Sequence, residues 1–186
     1  MHAYEAIVRP GDTACLPDLA KCDFSFEVTV ERSEPFEGGQ TIPVAPPYRK
    51  TYDFSTKELA GYIEDPNRGL FVAQVNGSSI GYIALSQGWN NYAIIEDFAV
   101  DVSYRGMGIA RRLMDIAVQW AREAAMAGIR LETQSNNVAA CRFYGRYGFV
   151  LGGYDRYLYQ AMRPGTREVA LFWYLPFARQ SSSPVP

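Results

Sequence analysis

One stretch of the chain joins an apolar strand, a glycine turn and an amphipathic helix, in the order that makes an anion-binding site. It runs from Phe98 to Ala110, with Gly106 and Gly108 in the turn. The free N–H groups of a helix's first turn converge there, the helix dipole adds partial positive charge, and glycine lets a phosphate approach the main chain. The segment therefore predicts a phosphate-bearing ligand, with a plain tight turn as the alternative interpretation.

Two nucleotide-binding motifs are similar to this turn, and neither fits it. The fingerprint G-x-G-x-x-G requires a third glycine where the chain has Arg111, which is too large for close contact between helix and strand. A P-loop would end in Gly-Lys followed by Ser or Thr, and this turn does not. The sequence thus disfavours a dinucleotide site and a P-loop.

The composition limits the classes of protein to consider. The chain has 186 residues, of which 48% are hydrophobic, and a formal charge of −2. These values favour one globular domain over residues 1–180 and give no basic face for nucleic acid. No stretch approaches the roughly 20 apolar residues of a membrane span, and no signal peptide is recognisable. We therefore expect a cytoplasmic protein without a membrane partner, and a disordered tail at the Ser- and Pro-rich residues 181–186.

Histidine and cysteine usage argues against several kinds of catalytic site. His2 is the single histidine, so a Ser-His-Asp or Cys-His mechanism has no base in the core. The three cysteines, Cys15, Cys22 and Cys141, fit neither a disulfide framework nor a zinc pattern. We expect reduced thiols and no transition-metal site, and a carboxylate-only Mg²⁺ site stays open.

Hydrophobic periodicity predicts the elements that must position the turn. Strands are expected at 5–9, 24–31, 70–75, 80–85, 93–102, 129–134, 153–159 and 169–175, and helices at 17–21, 57–65, 109–127 and 137–147. Asn76-Gly77 predicts a hairpin, Gly128 and Gly148 are expected to end the two long helices, and the Pro- and Gly-rich segment 33–49 predicts a long loop or arm. This order predicts an α/β or α+β fold, with a mixed, mostly antiparallel sheet and at least one parallel crossover.

The glycine turn has a partner motif about thirty residues downstream. Arg105-x-x-Gly108-x-Ala110 is followed by Asn137-x-x-Ala140-x-x-x-Tyr144-x-x-x-Gly148-Phe149. The pair resembles the acyl-CoA signature of the GNAT family of N-acetyltransferases, over about residues 70–175. Further segments resemble the streptothricin acetyltransferases within that family: Tyr48-Arg49-Lys50, Trp89-Asn90, Ile95-Glu96-Asp97, Leu131-Glu132-Thr133-Gln134, Asn136-Asn137, Gly153, Asp155 and Phe172-Trp173-Tyr174.

The resemblance implies an acetyl-CoA site along this segment. The strand residues Phe98, Ala99 and Val100 would contact the pantetheine arm, with the backbone groups of Phe98 and Val100 pairing with it like an added strand. The pyrophosphate would be held by the N–H groups of Arg105, Gly106, Met107, Gly108, Ile109 and Ala110, and Arg105 would add charge. Asn137 would bond the pantetheine amides, unless it is the N-cap of its helix; the cap could instead be Asn136.

The chemistry that the resemblance implies is direct attack of an amine on the thioester in a ternary complex. Tyr144 would protonate the leaving thiolate, or it is a core residue and nothing more. The attacking ammonium must first lose a proton, and Glu96 and Asp97 are the candidate bases. Glu96 shares the apolar phase of its strand, where a carboxylate is costly unless it is used or paired. A β-bulge, which the family often has in this strand, would exchange the phases of the two residues.

The implied substrate is a cationic aminoglycosyl antibiotic, acetylated on an amino group such as that of its β-lysine, with resistance as the result. Glu132 and Asp155 would complete an acidic pocket with Glu96 and Asp97, and Trp89 with Asn90 would also contact substrate. Three alternatives stay open: acetylation of another small amine, acetylation of a protein N-terminus, and a CoA-binding sensor without catalysis. A homodimer is the default expectation.

Overall fold

The computed structural model describes residues 6–178, in which a seven-stranded mixed sheet is covered by helices on both faces. The strands are β1 (Ile7–Pro10), β2 (Phe26–Arg32), β3 (Thr41–Lys50), β4 (Arg68–Val75), β5 (Ser78–Gln87), β6 (Tyr92–Val100), β7 (Gly128–Gln134), β8 (Val150–Asp155) and β9 (Ala170–Pro176), and the helices are α1 (Leu16–Leu19), α2 (Thr56–Glu64), α3 (Ile109–Glu123) and α4 (Val138–Tyr147). The order in the sheet is β1-β4-β5-β6-β7-β9-β8, and β2 with β3 forms a separate two-stranded arm. The predicted fold class is confirmed, and the predicted tail lies outside the described residues.

One pair of strands in the sheet is parallel, and its pairing ends early. β6 pairs with β7 from Tyr92 opposite Gly128 to Ile95 opposite Leu131. Beyond that point β6 continues along β5 to Val100, while β7 continues along β9 to Gln134. The two strands therefore separate, and we call the opening between them the β6–β7 gap.

β6 contains a bulge at Glu96. Ile95 and Asp97 pair with the consecutive β5 residues Leu85 and Ala84, so Glu96 is the extra residue. Ile95 is buried and Glu96 is exposed. The prediction that Glu96 occupies the apolar phase is wrong, because the bulge interrupts the alternation of faces on which that prediction depends.

Two apolar cores lie on opposite faces of the sheet. Along β5, Ile83 and Leu85 belong to the core under α3 and α4, whereas Tyr82 and Ala84 belong to the core under α1 and α2. A fully buried row along α3 packs on the first face: Leu113, Met114, Ala117 and Ala121. Among residues 6–178, no helix is long and apolar enough to cross a membrane.

The structure confirms the predicted hairpin turn at Asn76-Gly77 and the predicted helix end at Gly148, whereas the helix end predicted at Gly128 is wrong. Asn76 and Gly77 have φ of 51° and 83°, as a two-residue hairpin turn requires, and Gly148 ends α4 with φ of 120°. Gly128 does not cap α3, which ends at Glu123, so the predicted helix is too long. Gly128 begins β7 instead, where a Cβ would lie 2.4 Å from the carbonyl oxygen of Leu175. The glycine therefore allows close packing of two strands.

The segment predicted as a long loop is largely a strand. Residues 41–50 form β3, which pairs with β2, so the loop prediction is wrong for that part of 33–49. The register breaks between Val28 opposite Tyr48 and Val30 opposite Pro43, and Pro46 and Pro47 fall inside this break. Proline is tolerated there because a two-stranded arm has two free edges, where a missing N–H costs no ladder bond.

Candidate active site

The β6–β7 gap opens into a cavity of about 510 Å³. Its walls are β6 beyond the bulge, the glycine turn with the start of α3, one face of α4, the segment 52–54, and aromatic rings near the start of the arm. Most residues predicted for cofactor and chemistry line it: Asp97, Phe98, Ala99, Val100, Arg105, Gly106, Gly108, Ile109, Ala110, Asn137 and Tyr144. Met107 lies in the same turn with its side chain half exposed. The structure thus brings the two motifs together.

The glycine turn has the conformation that an anion site needs. Gly106 and Gly108 have φ of 78° and 79°, in the left-handed region that favours glycine. A Cβ at either position would meet nothing within 4 Å, so backbone conformation, and not packing, explains the glycines. Gly108 is also the N-cap of α3 and supplies no side chain to the first turn, which leaves those N–H groups for an anion.

Arg105 lines the cavity and is also held by two backbone carbonyls. Its Nε donates to the carbonyl of Val100 at 3.0 Å, and its Nη1 donates to the carbonyl of Ser25 at 2.7 Å. The guanidinium therefore joins the chain just before β2 to the end of β6. Arg105, Arg111 and Arg146 are the exposed cations of the cavity wall, and none of them is in an ion pair within residues 6–178. All three guanidinium groups therefore keep an uncompensated positive charge, and those of Arg111 and Arg146 are not held by carbonyl groups.

The backbone of β6 beyond the bulge turns alternate residues toward the gap. Asp101 N–H donates to the carbonyl of Ile80 at 2.9 Å, which in an antiparallel ladder turns the polar groups of Ala99 toward β5 and those of Phe98 and Val100 toward the gap. Phe98 N–H already donates to Asp97 Oδ1 at 2.8 Å, and the Val100 carbonyl accepts from Arg105. The Phe98 carbonyl and the Val100 N–H therefore face the gap for an extended ligand.

The two candidate bases lie in different surroundings. Asp97 lines the cavity, and its Oδ2 accepts from the Tyr82 hydroxyl at 2.5 Å. Burial raises the pKa of Asp97, and its bonds to Tyr82 and to Phe98 N–H oppose that rise. Glu96 is exposed, accepts from the Ser86 hydroxyl and lies outside the cavity wall. Asp97 is therefore the carboxylate that reaches the cavity.

Tyr144 is both a core residue and a cavity residue. Its side chain is buried, and its ring lies 5.7 Å from that of Phe149 and 6.2 Å from that of Trp173, centroid to centroid. Burial raises the pKa of Tyr144, so the phenol keeps its proton at neutral pH. A protonated phenol on the cavity wall is chemically able to act as an acid.

Asn137, and not Asn136, caps α4. Its Oδ1 accepts from Ala140 N–H at 3.2 Å, while its Nδ2 lies 3.5 Å from the Tyr52 hydroxyl. Asn137 also lines the cavity, so the cap leaves its amide nitrogen within reach of a ligand. Asn136 is buried, and its Nδ2 donates to the Tyr48 hydroxyl at 2.8 Å and to Glu168 at 3.0 Å.

Three other residues predicted to contact substrate, Trp89, Asn90 and Asp155, do not lie close together. Trp89 is 94% exposed and, with Asn90, forms the turn between β5 and β6, next to the level where Tyr92 pairs with Gly128. Asp155 pairs with Ala170, which pairs with Gln134 at the other end of β7. At about 3.3 Å per residue, those levels are roughly 20 Å apart. Asp155 Oδ1 accepts from the N–H groups of residues 157 and 158, so this carboxylate shapes a turn.

Glu132 lies on the sheet face that carries Asp97. Leu131 belongs to the core under α3 and α4, so its strand neighbour Glu132 projects to the opposite face, as Ala84, the partner of Asp97, does. Its carboxylate accepts from the Tyr159 hydroxyl, and burial raises the pKa of Glu132. Glu132 and Asp97 therefore stand on strands that flank the gap.

An aromatic wall of the cavity escapes prediction from the sequence. The rings of Phe24, Phe54 and Tyr82 lie 5.5 to 5.8 Å apart, centroid to centroid, and the Tyr52 hydroxyl donates to Gln134 Oε1 at 2.9 Å. Burial raises the pKa of Tyr52 to about 12. These residues come from three distant segments, and none belongs to a motif that would single it out. Arg146 also escapes prediction, although it follows Tyr144 closely in the partner motif.

The comparison with known proteins agrees with this geometry. The sequence profile of the Acetyltransferase (GNAT) family matches residues 32–149. The chain belongs to this family and is an N-acetyltransferase, and the acyl donor of GNAT enzymes is acetyl-CoA.

Within this family, the chain is similar to several proteins named as streptothricin acetyltransferases. Streptothricin acetyltransferase A of Bacillus subtilis is 37% identical to this chain over 70% of it and 75% of the relative. The streptothricin acetyltransferase of Escherichia coli is 40% identical over 69% of this chain and 70% of the relative. A crystal structure of a Bacillus anthracis protein assigned as a streptothricin acetyltransferase, in complex with acetyl coenzyme A, has a TM-score of 0.80 and 39% identity, covering 93% of this chain and all of that one.

Proposed function

We propose that this N-acetyltransferase acetylates an amino group of a cationic aminoglycosyl antibiotic of the streptothricin type, on its β-lysine amine, and thereby confers resistance. The observation that carries the proposal is the cavity that joins the glycine turn, the free edge of β6, Asp97 and Tyr144. The names of the relatives at 37% and 40% identity support the class of substrate.

The chain's own groups fit acetyl-CoA along the β6–β7 gap. The first-turn N–H groups of α3 would bind the pyrophosphate, with Arg111 and Arg146 as the charged side chains beside it. The Phe98 carbonyl and the Val100 N–H would pair with the pantetheine amides, and Asn137 Nδ2 would donate to the same arm. When bound, acetyl-CoA supplies the thioester carbonyl that the amine attacks.

Two side chains would move the protons. Asp97 accepts the proton of the substrate ammonium, which frees the nitrogen lone pair to form the N–C bond. The C–S bond breaks, and Tyr144 donates its hydroxyl proton to the departing thiolate. The acetylated nitrogen then gives up its second proton, which restores the Tyr144 hydroxyl, and Asp97 releases its proton to solvent. A base and an acid from two different elements suit a direct transfer in a ternary complex, which needs no covalent enzyme intermediate.

The acceptor would approach on the face that carries Asp97 and Glu132. Within residues 6–178 these carboxylates and Glu96 accept from hydroxyl groups and take part in no ion pair. Their negative charge is therefore uncompensated and favours a cationic acceptor. Trp89, Asn90 and Asp155 have no part in this proposal, since Trp89 and Asn90 form the turn before β6 and the Asp155 carboxylate holds the turn after β8.

The test is an acetylation panel with the purified chain. Acetyl-CoA is mixed with streptothricin, aminoglycosides, polyamines or short peptides, and the release of free thiol is followed together with the mass of the amine. We expect the highest kcat/KM with streptothricin and the gain of one acetyl group. Turnover restricted to peptides would instead indicate a protein N-terminus as acceptor, and tight CoA binding without any thiol release would indicate a sensor.

A further inference from the structure

Tyr82 is a buried phenol that points at the proposed base. It lies on β5, is 2% exposed, and its hydroxyl donates to Asp97 Oδ2 at 2.5 Å. Phe24 and Phe54 pack against its ring, with centroids 5.5 and 5.8 Å away. The hydroxyl is therefore fixed by packing on one side and by a carboxylate on the other.

The Asp97 carboxylate has one protein donor on each oxygen. Oδ2 accepts from Tyr82 and Oδ1 accepts from Phe98 N–H at 2.8 Å. An ionised carboxylate offers about four lone-pair sites, so these two bonds fix its orientation and still leave acceptor capacity for a substrate proton. Because Asp97 lines the cavity, a ligand in the cavity can reach the remaining lone pairs of its carboxylate.

The other ionisable groups near this pair do not neutralise it. They are Glu96 on β6, Glu58 and Tyr62 on α2, Tyr144 on α4, and the Cys22 thiol near Tyr82. Arg68 stacks on the Tyr62 ring at 5.0 Å and pairs with Asp65. Burial and Glu58 raise the pKa of Asp97, whereas Tyr82 and Phe98 N–H are the groups that lower it. Of those two, only Tyr82 acts through a side chain.

We propose that Tyr82 is a positioning residue of the acetyl transfer, whose hydroxyl holds the Asp97 carboxylate in the orientation that receives the substrate proton. The inference rests on the proposed function, because it takes Asp97 as the base. Loss of the hydroxyl would leave Oδ2 against apolar rings without a donor, so the pKa of Asp97 would rise further. The base would then be protonated, and inactive, over a wider range of pH.

The test is the pH dependence of kcat/KM for Tyr82→Phe, which removes one hydroxyl and keeps the ring. We expect the acid limb to move upward by about one pH unit, which is about a tenfold loss of rate on that limb, with the alkaline plateau and the Kd for acetyl-CoA nearly unchanged. Tyr62→Phe is the matched control, since that phenol faces the same carboxylates from α2 without bonding to Asp97. Its acid limb should stay in place.

Asp97→Asn separates this inference from the proposed function. If that variant keeps the wild-type rate, the base assignment is wrong and the role of Tyr82 is wrong with it. If Asp97→Asn is inactive while Tyr82→Phe keeps the wild-type profile, or shifts no more than Tyr62→Phe, the role of Tyr82 alone is overturned. Should Tyr82→Phe not fold, 3-fluorotyrosine at position 82 provides a stronger donor and should move the acid limb downward; an unmoved limb would overturn the inference.

Discussion

Asp97 and Tyr144 reach one cavity from a strand and from a helix, and burial shifts the pKa of each. Burial raises both pKa values, with opposite consequences for the two groups. It keeps the phenol protonated, as an acid must be, while it works against an ionised carboxylate. The bonds from Tyr82 and from Phe98 N–H offset that effect at Asp97.

Removal of the Tyr144 hydroxyl tests the proposed acid. Tyr144→Phe keeps the ring that packs on Phe149 and Trp173, so we expect a normal melting temperature and an acetyl-CoA Kd within about twofold of wild type. Turnover should fall on the order of 100-fold, the lower end of what a positioned acid contributes. Thiol release gives the rate and calorimetry gives the Kd. A large loss of CoA binding with little loss of turnover would contradict the assignment.

The arginines of the cavity wall carry a second prediction. Arg146→Gln removes a charge from the wall, so we expect acetyl-CoA binding to weaken about three- to tenfold at low salt, with a smaller difference at high salt. Arg142→Gln is the matched control, because Arg142 is exposed on α4 one turn earlier and lies outside this wall. Equal effects of the two changes on the Kd would show that Arg146 acts only through the net charge.

At the scale of elements, a buried ion pair joins the arm to the sheet. Lys50 Nζ, at the end of β3, donates to Glu168 Oε1 at 2.5 Å, with the two side chains 4% and 11% exposed. Asn136 bonds the same oxygen just before the cap of α4. Tyr52 follows Lys50 and donates to Gln134 at the end of β7. The pair therefore holds β3 where Tyr52 meets the cavity.

Removal of one charge of this pair should lower the free energy of unfolding more than removal of both charges. Lys50→Met leaves the Glu168 carboxylate with Arg163, a more exposed side chain 3.3 Å away, as its cation, so the free energy of unfolding should fall by about 3 kcal/mol, the lower end of the cost of an unpaired buried charge. Lys50→Met with Glu168→Leu should recover most of that loss, since a buried pair replaced by apolar side chains is often near neutral. Urea denaturation measures both values. A double variant no more stable than the single one would show that the ion pair stabilises the fold in its own right.

At the scale of the whole molecule, the charge is distributed unevenly around the gap. Uncompensated carboxylates lie on the acceptor face, whereas Arg111 and Arg146 lie on the wall with the glycine turn. With a formal net charge of only −2, the local pattern and not the total charge would attract each ligand to its side. The single domain over residues 1–180 and the homodimer stay predictions.

If the carboxylates attract a cationic acceptor, the rate of acetylation should depend on the salt concentration. Added KCl should lower kcat/KM for a cationic acceptor and leave kcat nearly constant, because the screening length falls to about 10 Å at 0.1 M. In Glu132→Gln the dependence on salt should be weaker, whereas Glu123→Gln, on the exposed end of α3, should keep the wild-type slope. Initial rates across a salt series give the slopes. A salt-independent kcat/KM would contradict a charge-attracted acceptor.

Local patterns in the sequence determined most of the helices and strands, and the glycine turn of the proposed site. The glycine turn, the hairpin at Asn76-Gly77 and the succession of strands and helices along the chain follow from short-range backbone preferences, which neighbouring residues set by themselves. The choice between Asn136 and Asn137 as the cap of α4 was left to the structure. The acetyl-CoA site was recognisable because the two linked motifs resemble the acyl-CoA signature of the GNAT family. These features need no knowledge of which distant segments meet.

Only the tertiary structure decided which side chains share the cavity. The bulge that exposes Glu96 and turns Asp97 inward depends on the pairing of β6 with β5, and the Arg105 guanidinium is taken by a carbonyl eighty residues away in the chain. Tyr82, Phe24 and Tyr52 become site residues because the arm and β5 pack beside the gap. Such contacts depend on register and on packing between remote segments, which the periodicity of a single segment does not encode.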